Sequence, residues 1–227
     1  MGILERALKH PFRDPGWGAK LILGGLLYVI AGALGFIPYV GSIFCLLISF
    51  IPLGYAYTVF LDRMQSKEGP LPPWGRWGDL FRQGFFLSLI GLGYFFIPGV
   101  LYWLGLYLWY DGGFSAFLGV LFLVLGVGIG LVACFLWPMA VAFYAAQKEV
   151  LTAAFCWKGI IEKLWLVQRD YFINWLASLV IMLALLYIYS RIHYLGWILF
   201  AFGLFYVTLV FAALYGEICR DGAKEKV

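Results

Sequence analysis

Long, uninterrupted apolar runs separated by short polar stretches dominate this chain. Crossing about 30 Å of hydrocarbon takes about 20 helical residues. Six segments reach that length, at about 19–37, 41–61, 84–109, 114–137, 171–190 and 194–216. The hydrophobicity is continuous rather than alternating, which predicts helices and not the strands of a barrel. Pro38-Tyr39-Val40-Gly41, Asp111-Gly112-Gly113 and Arg191-Ile192-His193 are short enough to join the segments in pairs. Proline withholds a backbone donor and paired glycine accepts positive φ, so the first two stretches suit helix-to-helix turns. The expected fold class is all-α: a polytopic transmembrane bundle of six helices in three hairpins. Pro98-Gly99 falls inside the third run. Neither half of that run could cross alone, so a single kinked helix is expected there.

Composition agrees. The chain is 64% hydrophobic and 12% charged, whereas soluble domains are about half apolar and about a quarter charged. Charge adds a direction. Every Lys and Arg except Arg191 falls before or at the start of the first run, between hairpins or in the C-terminal tail. Basic residues stay in the cytoplasm during insertion. Both termini are therefore expected to be cytoplasmic, with 1–18 an amphipathic N-terminal segment, 19–216 the transmembrane domain and 217–227 a tail. The charged start predicts no cleavable signal peptide and no myristoylation, and the first span would act as an uncleaved anchor.

Two further stretches suggest helices lying on the inner surface. Across 148–165, Val150, Ala154, Trp157, Ile161 and Leu164 recur at helical spacing. Ile3, Leu4, Ala7 and Leu8 do so more briefly until Pro11. Membrane lipids are the expected contact of both, with another membrane or cytoplasmic protein as the alternative. Tryptophan and basic residues precede each hairpin (Trp17 with Lys20, Trp74 and Trp77 with Arg76 and Arg82, Trp165 with Lys163). Shared interfacial chemistry explains this likeness as well as an internal repeat would.

Candidate chemistry is sparse. No Asp, Glu, Lys, Arg or His lies near the middle of a run, which argues against proton relays and ion pumps. Ser49, Ser88, Ser178 and Thr208 are the small polar groups inside the runs, each expected to bond to its own helix backbone. His10 and His193 are expected on opposite faces, and Cys45, Cys134, Cys156 and Cys219 form no CxxC pair. No catalytic residue, metal, cofactor or nucleic-acid partner is expected, and the chain is not expected to be an enzyme. Glycine offers more. Gly126 and Gly130 form GxxxG, and Ala31 and Gly35 repeat the spacing, so backbones should approach closely there. Packing within the chain and dimerisation are the two possibilities. The stretch from Gly69 to Phe81 is the most distinctive polar piece, with Pro72, Trp74, Arg76, Trp77 and Asp79 as a candidate partner or interface loop. It suits an interfacial clamp or a rigid docking motif.

The order Gly54-Tyr55, Gly69, Leu71-Pro72, Trp74, Trp77, Asp79-Leu80-Phe81 and Gly84 resembles domain of unknown function 4013, an uncharacterised prokaryotic multi-span membrane family. Asp14-Pro15-x-Trp17, Lys20-Leu21-Ile22-x-Gly24-Gly25, Pro138-Met139 and Tyr215-Gly216-Glu217 are similar too, so the likeness extends along nearly the whole chain. The pattern departs at Pro73, where an acidic residue is frequent, and at Glu217, where an amide is. The resemblance implies a bacterial or archaeal multi-span protein and carries no catalytic residues. The expected function is a non-enzymatic assembly, scaffold or membrane-organising role in a prokaryotic inner membrane. A permease for a neutral or lipidic solute is the alternative.

Overall fold

The computed structural model describes residues 2–67, 69–192 and 196–224, with side chains through Arg220. His193 and the last three residues of the tail lie outside the described residues. Helices account for the architecture, and no strand occurs among the described residues. The eight α-helices among the described residues are α1 (Ile3–Lys9), α2 (Trp17–Gly35), α3 (Val40–Met64), α4 (Trp77–Asp111), α5 (Gly113–Ala146), α6 (Trp157–Leu166), α7 (Gln168–Arg191) and α8 (Gly196–Lys224). Six of them (α2, α3, α4, α5, α7 and α8) are long and apolar enough to cross a membrane. The chain divides into two compact units, Met1–Leu87 with Glu162–Val227, and Ser88–Ile161.

In the first unit α2, α3, α7 and α8 pack by close approach. A methyl group on Gly24 would collide with the Phe205 ring, and one on Gly25 with the Phe202 ring. At the other end of the α2–α8 contact, Phe36 meets Trp197 edge to face at 6.3 Å, so the two helices run antiparallel. Helices α7 and α8 are antiparallel as well: Tyr171 touches Tyr215, and Tyr189 touches Phe200. The α2–α3 turn places Tyr39 at φ 62°. Gly41 sits against the Leu34 carbonyl, where no side chain fits. The unit's core includes Tyr55, Tyr57, Phe205, Leu209 and Leu214, all buried.

Short helix α1 is integrated into this unit. Ala7 is buried, Arg6 pairs with buried Glu217 of α8 at 2.7 Å, and the Tyr206 hydroxyl donates to the Leu8 carbonyl at 3.0 Å. The apolar side expected to rest on lipid thus packs in part on α8. The same contacts set the start of α1 beside the end of α8, so both ends of the described chain reach one end of the unit.

The second unit is built on the α4–α5 hairpin. Gly112 and Gly113, at φ 77° and 59°, make the turn anticipated from their pairing. Helix α4 continues through Pro98 as one element of 35 residues, and α5 has 34. Gly105 and Gly119 face each other's backbones at under 3 Å for an added methyl. The surface helix expected over 148–165 is broken. Lys148 and Glu149 take positive φ, Leu151–Phe155 form a 3-10 turn, and α6 begins only at Trp157. That interruption resets the phase. Ala154 and Ile160 are buried, while Val150, Trp157 and Ile161 are exposed. The expected stripe is therefore not one face.

Candidate functional site

The polar end of the first unit holds its most elaborate chemistry, built around the stretch from Gly69 to Trp77. Three prolines stiffen this segment and limit the entropy lost on ordering it. Leu71 is buried as its plug. Tyr55 of α3 donates its hydroxyl to the Pro72 carbonyl at 2.7 Å. Its ring lies flat on Trp74, with centroids 4.1 Å apart and planes 9° apart. The Trp74 indole donates to the Lys20 carbonyl at 3.3 Å. The Lys20 ammonium bridges the Asp14 carboxylate and the Leu71 carbonyl. One side chain thereby ties the start of α2 to the loop that follows α3.

Asp14 also accepts from the Gly16 N–H at 2.6 Å. Burial pushes its carboxyl up, but the hydrogen bonds from Lys20 and Gly16 outweigh this and hold it below the usual carboxylate range. Just beyond the loop, α3 and α4 cross in near-contact. A methyl group on Gly54 would land on the Leu80 carbonyl, and one on Gly84 on the Phe50 carbonyl. Each glycine faces the residue four before the other, so the crossing is reciprocal.

His10, between α1 and a 3-10 turn at Pro11–Arg13, is buried in the same region. Its imidazole is held down to about 4, first by burial and then by Arg63 and Arg13, with Asp14 opposing. A histidine that stays neutral when folded but protonates when unfolded makes stability fall with acidity. Above about pH 6.5 the effect vanishes. It grows as pH drops from 6.5 towards 4, reaching of the order of 2–3 kcal/mol. Below that, protonation of Asp14 removes the stability its depressed carboxyl supplies. Unfolding titrations in detergent should therefore show a loss between pH 6.5 and 4 that His10→Gln flattens.

The candidate loop residues separate into two groups. Pro72 and Trp74 are spent on the clasp. Arg76 and Trp77 remain exposed, and Arg76 pairs with Asp79 at 3.7 Å on the surface. Asp79 lies in the first turn of α4 and not before it, since the helix starts at Trp77; an acid there still suits the helix dipole. Among the packing residues, Ala31 and Gly126 are buried. A methyl on Gly126 would sit 3.0 Å from the Tyr102 nitrogen, within the α4–α5 pair. Gly130 lies 3.6 Å from Pro98 and Gly35 4.0 Å from Cys45 by the same measure.

Ser49, Ser178 and Thr208 each donate to the carbonyl four residues back, at 2.7, 2.8 and 2.7 Å. Arg191 donates to the Tyr187 hydroxyl at 3.2 Å. Among the described residues, no group of three or more His, Cys, Asp or Glu side chains could hold a metal. Sequence reasoning missed Tyr55, Lys20 and Asp14 as one constellation. Gly54-Tyr55, Asp14 and Lys20 did all occur in the family-like pattern, the one signal that pointed to them.

Six apolar helices, with a polar clasp at one end of the first unit, define a multi-pass helical membrane protein. The chain belongs to the family described as "Protein of unknown function (DUF4013)", whose model matches residues 37–193. That match spans α3 to α7 and contains the clasp loop, while the similar stretches at Asp14–Gly25 and Tyr215–Glu217 fall outside it. Comparison with curated proteins and with solved structures finds no match.

Proposed function

We propose that the protein is a non-enzymatic assembly or membrane-organising component of a prokaryotic inner membrane, with both termini in the cytoplasm. The observation that carries this reading is the division of the loop. Trp74 and Pro72 are locked into the clasp, and Arg76 and Trp77 are thereby held outward on a rigid base. A pre-ordered aromatic beside a guanidinium makes a strong contact point, because little entropy is lost on binding. Ser49, Ser178 and Thr208 donate to their own helices, and Ser178 also accepts from the Tyr215 hydroxyl of α8 at 3.3 Å, which favours packing over a solute path. The gathering of Arg6, Arg13, Lys20 and Arg63 at the clasp end accords with a cytoplasmic location for that end.

A photo-reactive phenylalanine placed at position 77 tests role and orientation together. In intact cells it should yield a discrete adduct with a cytoplasmic protein or the cytoplasmic part of a membrane protein. Purified chain in liposomes should pass neutral solutes no faster than empty liposomes. Flux well above that background, with no adduct, would replace this reading by a permease. An adduct with a protein of the opposite compartment would reverse the orientation.

A further inference from the structure

Beside the clasp a small cavity of about 180 Å³ opens at the end of the first unit. His10, Val59, Asp62 and Lys67 line it, and the Gly69–Pro72 stretch closes it. His10 is 4% exposed, and its Nδ1 has no hydrogen-bond partner among the described residues. A buried polar atom in that condition costs free energy, and a ligand atom in the cavity would recover it.

The charges around the cavity choose the sign of that ligand. Burial first, and then Arg63 and Arg13, keep His10 neutral, and the Asp14 charge is engaged by Lys20. Asp62 pairs with Lys67 at 3.2 Å, but the Lys67 side chain is 63% exposed and so is able to turn inward. The carbonyls ending α3 would repel an anion. They are already used: those of Leu61, Asp62 and Arg63 accept from the N–H groups of Gln65, Lys67 and Ser66. Lys67 is thus the cation that lines the cavity and is able to meet an anion there, and an anion beside His10 would let it take up a proton.

Depth and lining choose its type. Val59, Pro70 and Pro72 provide apolar wall, suited to glycerol carbons. Phe12 and Trp17, half-exposed on the same segment and in edge contact at 4.9 Å, are rings of the kind that settle at the headgroup layer. We propose that this cavity seats the phosphate of an anionic phospholipid headgroup, hydrogen-bonded to His10 and paired with Lys67.

Native mass spectrometry of the full chain in mild detergent tests this. Phosphatidylglycerol should be retained over phosphatidylcholine by about tenfold or more, as expected for a charge-assisted site. Lys67→Gln alters an exposed side chain and should leave the lipid-free melting temperature unchanged, yet cut that preference several-fold. His10→Gln should cut it as well. In nanodiscs, the histidine resonance lost in His10→Gln should titrate about one pH unit higher with phosphatidylglycerol than with phosphatidylcholine, a tenfold change in proton affinity. His193 serves as the internal reference for surface potential. Equal retention of the two lipids, or unchanged preference in both variants, would overturn the site. If millimolar inorganic phosphate alone raises the His10 titration and displaces the lipid, the occupant is a soluble phosphate and the lipid assignment falls.

Discussion

Replacing Gly84 by valine is expected to cost about 3 kcal/mol or more, among the larger losses open to a single substitution here. The reason is the reciprocal crossing of α3 and the start of α4. An added side chain at Gly84 would meet the Phe50 carbonyl, and one at Gly54 the Leu80 carbonyl. Backbone cannot yield as a flexible side chain does, so the helices must separate. Separation strips the crossing of the van der Waals contact that holds helices together in lipid. Gly54→Val should behave alike, and the double variant should lose less than the sum, because a crossing already opened is opened once. Gly99→Ala is the control: nothing lies within 4 Å of its added methyl. That change should be neutral or slightly stabilising, since alanine is the better helix former. Unfolding in mixed detergent micelles measures all four. Equal stability of Gly84→Val and Gly99→Ala would mean that the crossing is not tight.

Trp74→Ala should be comparably damaging, at about 3 kcal/mol. The change removes the flat stack on Tyr55, a ring contact with Phe205 at 6.0 Å and the hydrogen bond to the Lys20 carbonyl. The clasp would lose its centre. Its loop should then open to trypsin at Arg76 well before global unfolding, because local opening needs less free energy than the whole. Trp77→Ala is expected to cost less than about 1 kcal/mol, as an exposed ring that stacks on Trp74 at 5.6 Å. The two tryptophans are three residues apart and chemically alike, so the contrast isolates position. Similar losses from both would show that the loop is a uniform surface and not a clasp with an outward-facing part.

The spans were legible because lipid imposes a length and forbids unpaired backbone. Their ends were less so. Helix α4 begins at Trp77, before the apolar run that starts near 84, since Asp79, Arg82 and Gln83 are helical but too polar to register as span. Helix α5 runs on to Ala146 because Pro138 does not end it. Helical periodicity over 148–165 misled for a different reason. Spacing assumes one continuous helix, and the positive φ of Lys148 and Glu149 breaks it.

At the candidate site, Trp74 and Pro72 stood out as a loop with unusual residues, but their partners did not. Tyr55 lies on another helix, and Asp14 and Lys20 come from a segment about fifty residues upstream. The Gly54–Gly84 crossing was hidden likewise. Small-xxx-small spacing finds a flat patch within one helix, as at Gly126 and Gly130, whereas this crossing uses a single glycine from each of two. His10 looked isolated because burial and a neighbouring Arg63 are tertiary facts.

The length of α4 and α5 has a mechanical consequence for the surrounding lipid. At 1.5 Å per residue, α5 alone extends about 50 Å, well beyond an apolar layer of about 30 Å. It carries no charged residue over Gly113–Ala146. Hydrophobic mismatch of that size exceeds what the usual range of tilt absorbs, so the bilayer beside this hairpin must thicken or the helices must lean steeply. Thickening deforms the membrane locally, whereas leaning takes up the excess length within the protein; relief of either cost draws the protein towards thicker regions of the membrane.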